Sequence, residues 1–67
     1  MKNIGNAMRA QRLLSNKTLL QVEKDTGISN ASISRWETGK VIPNVEDCII
    51  LAEYYGVTLD ELLNQDI

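Results

Sequence analysis

Apolar and polar residues alternate with the period of an α-helix in five short stretches of this chain. The first stretch runs from Asn3 to about Leu14. Within it, Ile4, Ala7 and Met8 recur at helical spacing, and Leu14 continues the apolar stripe. We therefore predict a first helix over this stretch, with those four residues facing the core.

Two more helical stretches flank Gly27. The second stretch opens at Thr18, which forms a capping box with Gln21 three residues later. The third runs from Asn30 to Thr38, and Ser29 before it is a good N-cap because its oxygen can accept from a backbone N–H one turn on. The pattern predicts helix, tight turn, helix.

The third stretch has two unlike faces. Ile33 and Trp36 share one face and, with Val22 and Ile28, are predicted to be core. The opposite face is polar, mostly small, and carries one arginine. Its members are Asn30, Ala31, Ser34, Arg35 and Thr38. A face of this size and chemistry suits the major groove of DNA.

The last two stretches follow an extended linker at Pro43. Asn44 caps the fourth helix, and Gly56 ends it. Its predicted core stripe comprises Val45, Cys48, Leu51, Ala52 and Tyr55. Thr58 opens the fifth helix, Leu59–Leu63, with a second capping box. Residues 1–67 therefore read as one all-α domain of five helices.

Composition narrows the class of protein. One cysteine and no histidine exclude an intramolecular disulfide and make a zinc site implausible, so we expect no metal and no cofactor. The chain has no long apolar run and opens without a signal peptide, so we expect no membrane partner and a cytoplasmic location. A glycine-rich phosphate loop and a nucleophile–base pair are also missing, so we expect neither an enzyme nor a small-molecule substrate.

The charges are segregated along the chain. All seven basic residues lie within 1–40, against three acidic residues, and the other six acidic residues lie within 41–67. The two parts therefore carry net charges of +4 and −6, although the whole chain carries −2. The basic part contains the helix–turn–helix pattern, which favours an anionic partner there. The alternative is that both halves are ordinary solvated surface.

The stretch LLQVEKDTGISNASISRWETGKVIP resembles the helix-turn-helix of the phage-repressor and Cro family, often called XRE-type. The positions that carry the resemblance are Gly27, Ile33, Trp36, Glu37, Gly39, Lys40 and Pro43. The resemblance covers roughly residues 4–63 and implies a compact five-helix, lambda-repressor-like domain whose second and third helices bind DNA. It also implies double-stranded DNA as partner and the bacterial cytoplasm or nucleoid as location.

The resemblance assigns two sets of contacts. Base contacts fall to Asn30, Ala31 and Arg35, and Ser34 is a further candidate for a base contact because it lies on the same face. Phosphate contacts fall to Thr18, Ser29, Ser32, Thr38, Lys40 and Arg12. The chemistry agrees, since Arg35 can donate two hydrogen bonds to guanine and Asn30 can pair with adenine.

Several residues keep a second interpretation. Arg12 could contact a phosphate or form an ion pair within the domain, and Glu37 is a plausible partner because a carboxylate facing the groove would repel DNA. Arg35 could also pair with Glu37 on the surface, at little energetic value. Asn30 could be no more than a residue of the helix start.

Three residues depart from the family pattern. Leu19 stands where the family usually places a glutamine that touches a phosphate, which puts that contact in doubt. Glu23 stands where a small alanine is usual, and we expect its carboxylate to reach the rim of the helix contact. Gln11 stands at a position that is usually apolar.

A few apolar residues are left outside the predicted core. The candidates for a self-complementary dimer patch are Ile50, Tyr54, Leu63 and Ile67. The favoured hypothesis is a small repressor that binds a near-palindromic operator as a homodimer. The alternative is a protein-interaction module on the same fold, an antirepressor or an antitoxin-like partner of a regulatory protein.

Overall fold

The structure is a computed structural model that describes residues 4–63. Within this range the chain forms five α-helices and no strand. They are α1 (Ile4–Leu14), α2 (Leu19–Thr26), α3 (Asn30–Glu37), α4 (Val45–Tyr55) and α5 (Leu59–Leu63). The predicted all-α fold is confirmed, and the predicted helix ends that fall within the described residues lie within one residue of the observed ends. The predicted start of the first helix, Asn3, lies outside the described residues. No helix in the described range is long and apolar enough to cross a membrane.

Local chemistry sets the ends of α2 and α3. Thr18 caps α2, and the reciprocal bonds of its capping box with Gln21 are both present. Gly27 ends α2 with φ of 81°, a left-handed conformation that is open to glycine without a Cβ penalty. Two residues later, the Ser29 hydroxyl oxygen accepts from the Ala31 N–H at the start of α3. These short-range bonds produce the predicted turn between the two helices.

The core lies where α1 and α2 pack on α3, α1 and α4 pack on α5, and α2 meets α4. Its buried apolar members are Met8, Val22, Ile28, Ile33, Trp36, Cys48, Leu51, Ala52 and Leu62. The inward orientation predicted for Ile33 and Trp36 is confirmed. Burial raises the pKa of the Cys48 thiol, in keeping with a cysteine that packs as a small apolar residue.

Two predicted core positions are wrong. Leu14 is 72% exposed because Gln11 and Arg12 take the inward positions on the last turns of α1. Val45 is 70% exposed because the buried stripe of α4 begins one turn later, at Cys48. Both residues lie at an end of a helix, where the apolar spacing continues but no neighbouring helix covers it.

Gly5 allows α1 to approach the end of α3 closely. A Cβ built at this position would lie 2.5 Å from the Trp36 carbonyl oxygen and 2.7 Å from that of Glu37. Non-bonded atoms do not approach so closely, so a side chain here would push α1 and α3 apart. The position of α3, which carries the candidate site, therefore depends on a glycine in α1.

Candidate nucleic-acid interface

The candidate base-contacting residues lie together on α3. Arg35 and Ala31 are exposed, and Asn30 and Ser34 are half-buried. The buried Ile33 and Trp36 fix the opposite side of the same helix against the core. The structure therefore presents the predicted polar face to solvent, with the Arg35 guanidinium as its one cation.

The candidate phosphate-contacting residues lie at the ends of α2 and α3. Thr18 and Ser29 are exposed N-caps whose oxygens accept backbone N–H bonds, so each hydroxyl proton is free of that bond and can be donated. Helix N-termini attract anions. Thr38 instead donates its hydroxyl to the Ser34 carbonyl at 2.9 Å, and Lys40 is exposed just beyond it. Ser32 is half-buried.

Arg12 forms an ion pair with Glu37. Its Nε lies 2.8 Å from Oε2 of Glu37, its Nη2 donates to Oε1 at 2.9 Å, and its Nη1 donates to the Lys17 carbonyl. Both side chains are buried, and the hydrogen bond to Glu37 raises the pKa of Arg12. Of the two roles open to Arg12, the structure therefore shows the ion pair. Glu37 faces inward as expected, and because its carboxylate is bound to Arg12, it does not pair with Arg35.

Asn30 has a partner that the sequence did not reveal. Its side-chain nitrogen Nδ2 donates to Oε1 of Glu23, which joins α3 to α2 across the turn. Both residues are half-buried, so the bond lies at the edge of the polar face. Glu23 had been expected to reach the rim of the helix contact, and its carboxylate meets Asn30 there.

Leucines surround the start of α2. Leu19, in place of the usual glutamine, is half-buried and packs against the core, while Leu20 beside it is 68% exposed. A surface groove of about 490 Å³ runs along this region. Its lining residues are Arg12, Leu13, Asn16, Lys17, Thr18, Leu19 and Leu20. This surface is more apolar than the family pattern implies.

The four residues predicted to form a dimer patch differ in their burial and contacts. Tyr54 is half-buried, and its hydroxyl donates to the Asp25 carboxylate on α2. Leu63 packs against the core, Ile50 is partly exposed, and Ile67 lies outside the described residues. Two of the four predicted residues therefore have packing roles within the domain.

A second apolar surface lies beside α4 and α5. A cleft of about 170 Å³ is lined there by Ile4, Ile42, Pro43, Val45, Cys48, Leu59 and Leu63. Three of these lining residues are exposed: Ile42 at 78%, Val45 at 70% and Leu59 at 40%. We call Ile42, Val45 and Leu59 the cleft face.

A five-helix domain with an exposed polar helix after a glycine turn is the architecture of a helix-turn-helix protein. The helix-turn-helix family model matches residues 8–62. The chain belongs to the XRE-type helix-turn-helix family, and the relatives found in it are transcription regulators.

Two relatives of known role align with most of the chain. The HTH-type transcriptional activator BcrR of Enterococcus faecalis is 36% identical over 58 residues, which cover 84% of this chain and 28% of BcrR. The cryptic phage CTXphi transcriptional repressor RstR of Vibrio cholerae is 35% identical over 52 residues, covering 78% and 46%. The chain thus spans less than half the length of either relative.

Solved structures agree with the fold. The P22 c2 repressor in complex with a synthetic operator superposes with a TM-score of 0.85 at 30% identity, covering 98% of this chain and 100% of the repressor chain. The DNA-binding domain of BldD superposes with a TM-score of 0.82 at 30% identity, covering 92% and 90%. The lambda-repressor-like fold is therefore established.

Proposed function

We propose that this protein is a sequence-specific DNA-binding transcription regulator that acts as a repressor at the bacterial nucleoid. The observation that carries the proposal is the polar face of α3, which projects Arg35 and Ala31 to solvent while Ile33 and Trp36 anchor the helix behind it. The match to an operator-bound repressor over nearly the whole chain supports the same function.

The chemistry of the face suits the major groove. Arg35 can donate two hydrogen bonds to guanine O6 and N7, and the Ala31 methyl can contact a thymine methyl. Thr18 and Ser29, at the positive ends of α2 and α3, suit phosphate oxygens, as does the Lys40 ammonium. Phosphate contacts set the register of the helix, and the base contacts set the sequence.

Replacing Arg35 by Ala tests the base contact. We expect a loss of about 1–3 kcal/mol on the cognate site, concentrated at one base pair, because one bidentate guanine contact disappears. Fluorescence anisotropy against the gene's own upstream DNA and a scrambled duplex, at low and near-physiological salt, measures it. Arg9→Ala, an exposed arginine of α1, is the control for loss of charge. Equal losses on both duplexes would contradict the role of Arg35.

The protein acts as a homodimer that meets through the cleft face. Three exposed aliphatic residues, Ile42, Val45 and Leu59, line one cleft, and an exposed apolar patch of this kind is often part of an interaction site. A two-fold axis at this face gives a pair that carries two copies of α3. A domain 31 Å by 24 Å has the size needed for two α3 helices to reach major grooves about 34 Å apart.

Replacing Ile42 by Arg tests the dimer. The side chain is exposed, so the variant should fold, but a charge within an apolar contact should shift sedimentation to the monomer. Leu14→Arg is the matched control, since Leu14 is equally exposed on another surface. Loss of the dimer on Ile50→Arg, with Ile42→Arg unaffected, would instead favour the interface around Ile50 and Tyr54.

A protein-interaction role is the second candidate, because Leu13, Leu14 and Leu20 expose apolar surface beside the groove at the start of α2. On this hypothesis the chain binds a regulatory protein rather than an operator. It predicts weak, sequence-blind DNA binding that disappears with salt in the same anisotropy experiment, and a stable complex in a pull-down.

A further inference from the structure

The contact between Glu23 and Asn30 links the two helices at the edge of the polar face. Glu23 lies on α2 and Asn30 opens α3, seven residues later in the chain. The Asn30 nitrogen Nδ2 donates to Oε1 of Glu23. Among the described residues, Asn30 is the one candidate base-contacting residue whose side chain is hydrogen-bonded to α2, so its side chain is held more firmly than the others.

A carboxylate partner fixes which way the Asn30 amide points. The two ends of an amide differ, since the oxygen accepts hydrogen bonds and the nitrogen donates them. Ionised glutamate only accepts, so it attracts Nδ2 and repels Oδ1. The Glu23 contact therefore selects the orientation with the nitrogen toward α2, and it leaves Oδ1 and one N–H of Asn30 uncommitted.

This selection bears on which base Asn30 can contact. Adenine offers a donor at N6 and an acceptor at N7, and the oxygen and remaining N–H of an amide match that pair. Guanine offers two acceptors, O6 and N7, which an amide meets well only by turning its nitrogen toward them. Glu23 opposes that turn, so the fixed amide favours adenine over guanine.

We propose that Glu23 is a positioning residue for sequence recognition, which presets the Asn30 amide and thereby the preference for adenine at one base pair of the site. The proposal rests on the proposed DNA-binding function. It also gives a role to the glutamate that replaces the alanine usual in the family.

The experiment selects binding sites from a duplex library with one half-site randomised, using the full chain, four single variants and one double variant. Glu23→Gln keeps the size but can donate as well as accept, so it no longer selects one amide orientation. Glu23→Asp keeps the charge but is too short to hold Nδ2. Asn30→Ala removes the side-chain amide that is proposed to contact the base. Asp25→Asn is the control for charge, because it neutralises a nearby carboxylate of α2 that contacts Tyr54 instead.

We expect Glu23→Gln, Glu23→Asp and Asn30→Ala to lower the adenine preference at the same single base pair by about fivefold or more, with Asp25→Asn unchanged. Adding Glu23→Gln to Asn30→Ala should change nothing further, because the glutamate acts through the amide. Thermal unfolding of each variant confirms that it is folded. A purely structural contact would lower the melting temperature without altering the base preference.

Two results would overturn the proposal, and they differ. If the unmodified protein selects a site and Glu23→Gln selects the same bases with the same strength, the positioning role is wrong and the DNA-binding function stands. If the unmodified protein selects no sequence at all, both the proposed function and this role fail.

Discussion

Single residues decide how α3 is held in this domain. The Arg12–Glu37 ion pair ties α1 to the end of α3 through two parallel hydrogen bonds, and the third bond of Arg12 reaches the Lys17 carbonyl. A bidentate, buried arginine–carboxylate pair has a stricter geometry than an exposed pair. From the sequence alone, Arg12 could form either this ion pair or a phosphate contact. Both roles need a cation at this position, and they differ in whether the side chain is buried or exposed.

Replacing Gly5 by Ala tests how closely α1 and α3 pack. In an open helix, Gly→Ala stabilises by about 0.5–1 kcal/mol, because alanine loses less backbone entropy on folding. Here the added Cβ would collide with the carbonyls of Trp36 and Glu37, and forcing atoms into a packed contact costs about 1–3 kcal/mol. Gly5→Ala should therefore destabilise the protein, as urea unfolding would measure. A stabilised variant would show that α1 and α3 can separate without cost.

At the scale of the helices, most of the architecture follows from local signals. Capping residues and apolar spacing predict all five helices because both act within a few residues along the chain. The exposed Leu14 and Val45 were mispredicted because exposure at a helix end depends on which neighbour covers it. The Glu23–Asn30 contact was missed for the same reason, since it requires the angle between α2 and α3.

The start of α3 combines a cap with a proposed phosphate contact, and Ser29→Asp separates the two. Aspartate caps a helix about as well as serine, and its charge suits a helix N-terminus, so stability should hold. A carboxylate facing a phosphate should nevertheless weaken DNA binding by about tenfold or more, because the two negative charges repel each other. Thermal unfolding and anisotropy measure the two effects.

Thr58→Asp is the matched control, because Thr58 makes the same kind of cap at α5, which packs against α1 and α4. It should leave both stability and DNA affinity close to those of the unmodified protein. If Ser29→Asp bound DNA as tightly as this control, the N-terminus of α3 would not face a phosphate.

For the molecule as a whole, the two tyrosines predict how stability changes at alkaline pH. The hydrogen bond to Asp25 raises the pKa of Tyr54 to about 12, and burial raises that of Tyr55 to about 12. Unfolded tyrosine has a pKa of about 10. The folded state therefore holds these two protons more tightly than the unfolded state does. Their contribution to the free energy of unfolding is fully present below pH 10 and is lost as pH rises toward 12.

A titration of tyrosinate absorbance tests this. At pH 11 about a tenth of each tyrosine should be ionised in the folded protein, against about nine-tenths in urea-unfolded protein. Tyr54→Phe leaves Tyr55 as the one tyrosine and should titrate near pH 12 with half the amplitude. If both tyrosines of the folded protein ionised near pH 10, neither the hydrogen bond of Tyr54 nor the burial of Tyr55 would raise the pKa.

In the folded domain α1 packs against α5, which is synthesised last of the five described helices. Nε2 of Gln11 lies 3.5 Å from the Glu61 carbonyl oxygen, 50 residues further along the chain, and one core cluster contains both Met8 and Leu62. A ribosome adds about 5–20 residues per second, so α1 waits roughly 3–10 s for its partner to be synthesised. Until α5 is synthesised, the side of α1 that contains Met8 lacks the helix against which it packs in the folded domain. We therefore expect a chain that ends before Leu62 to lack part of the core on which α1 packs, and so to be less stable than one that contains α5.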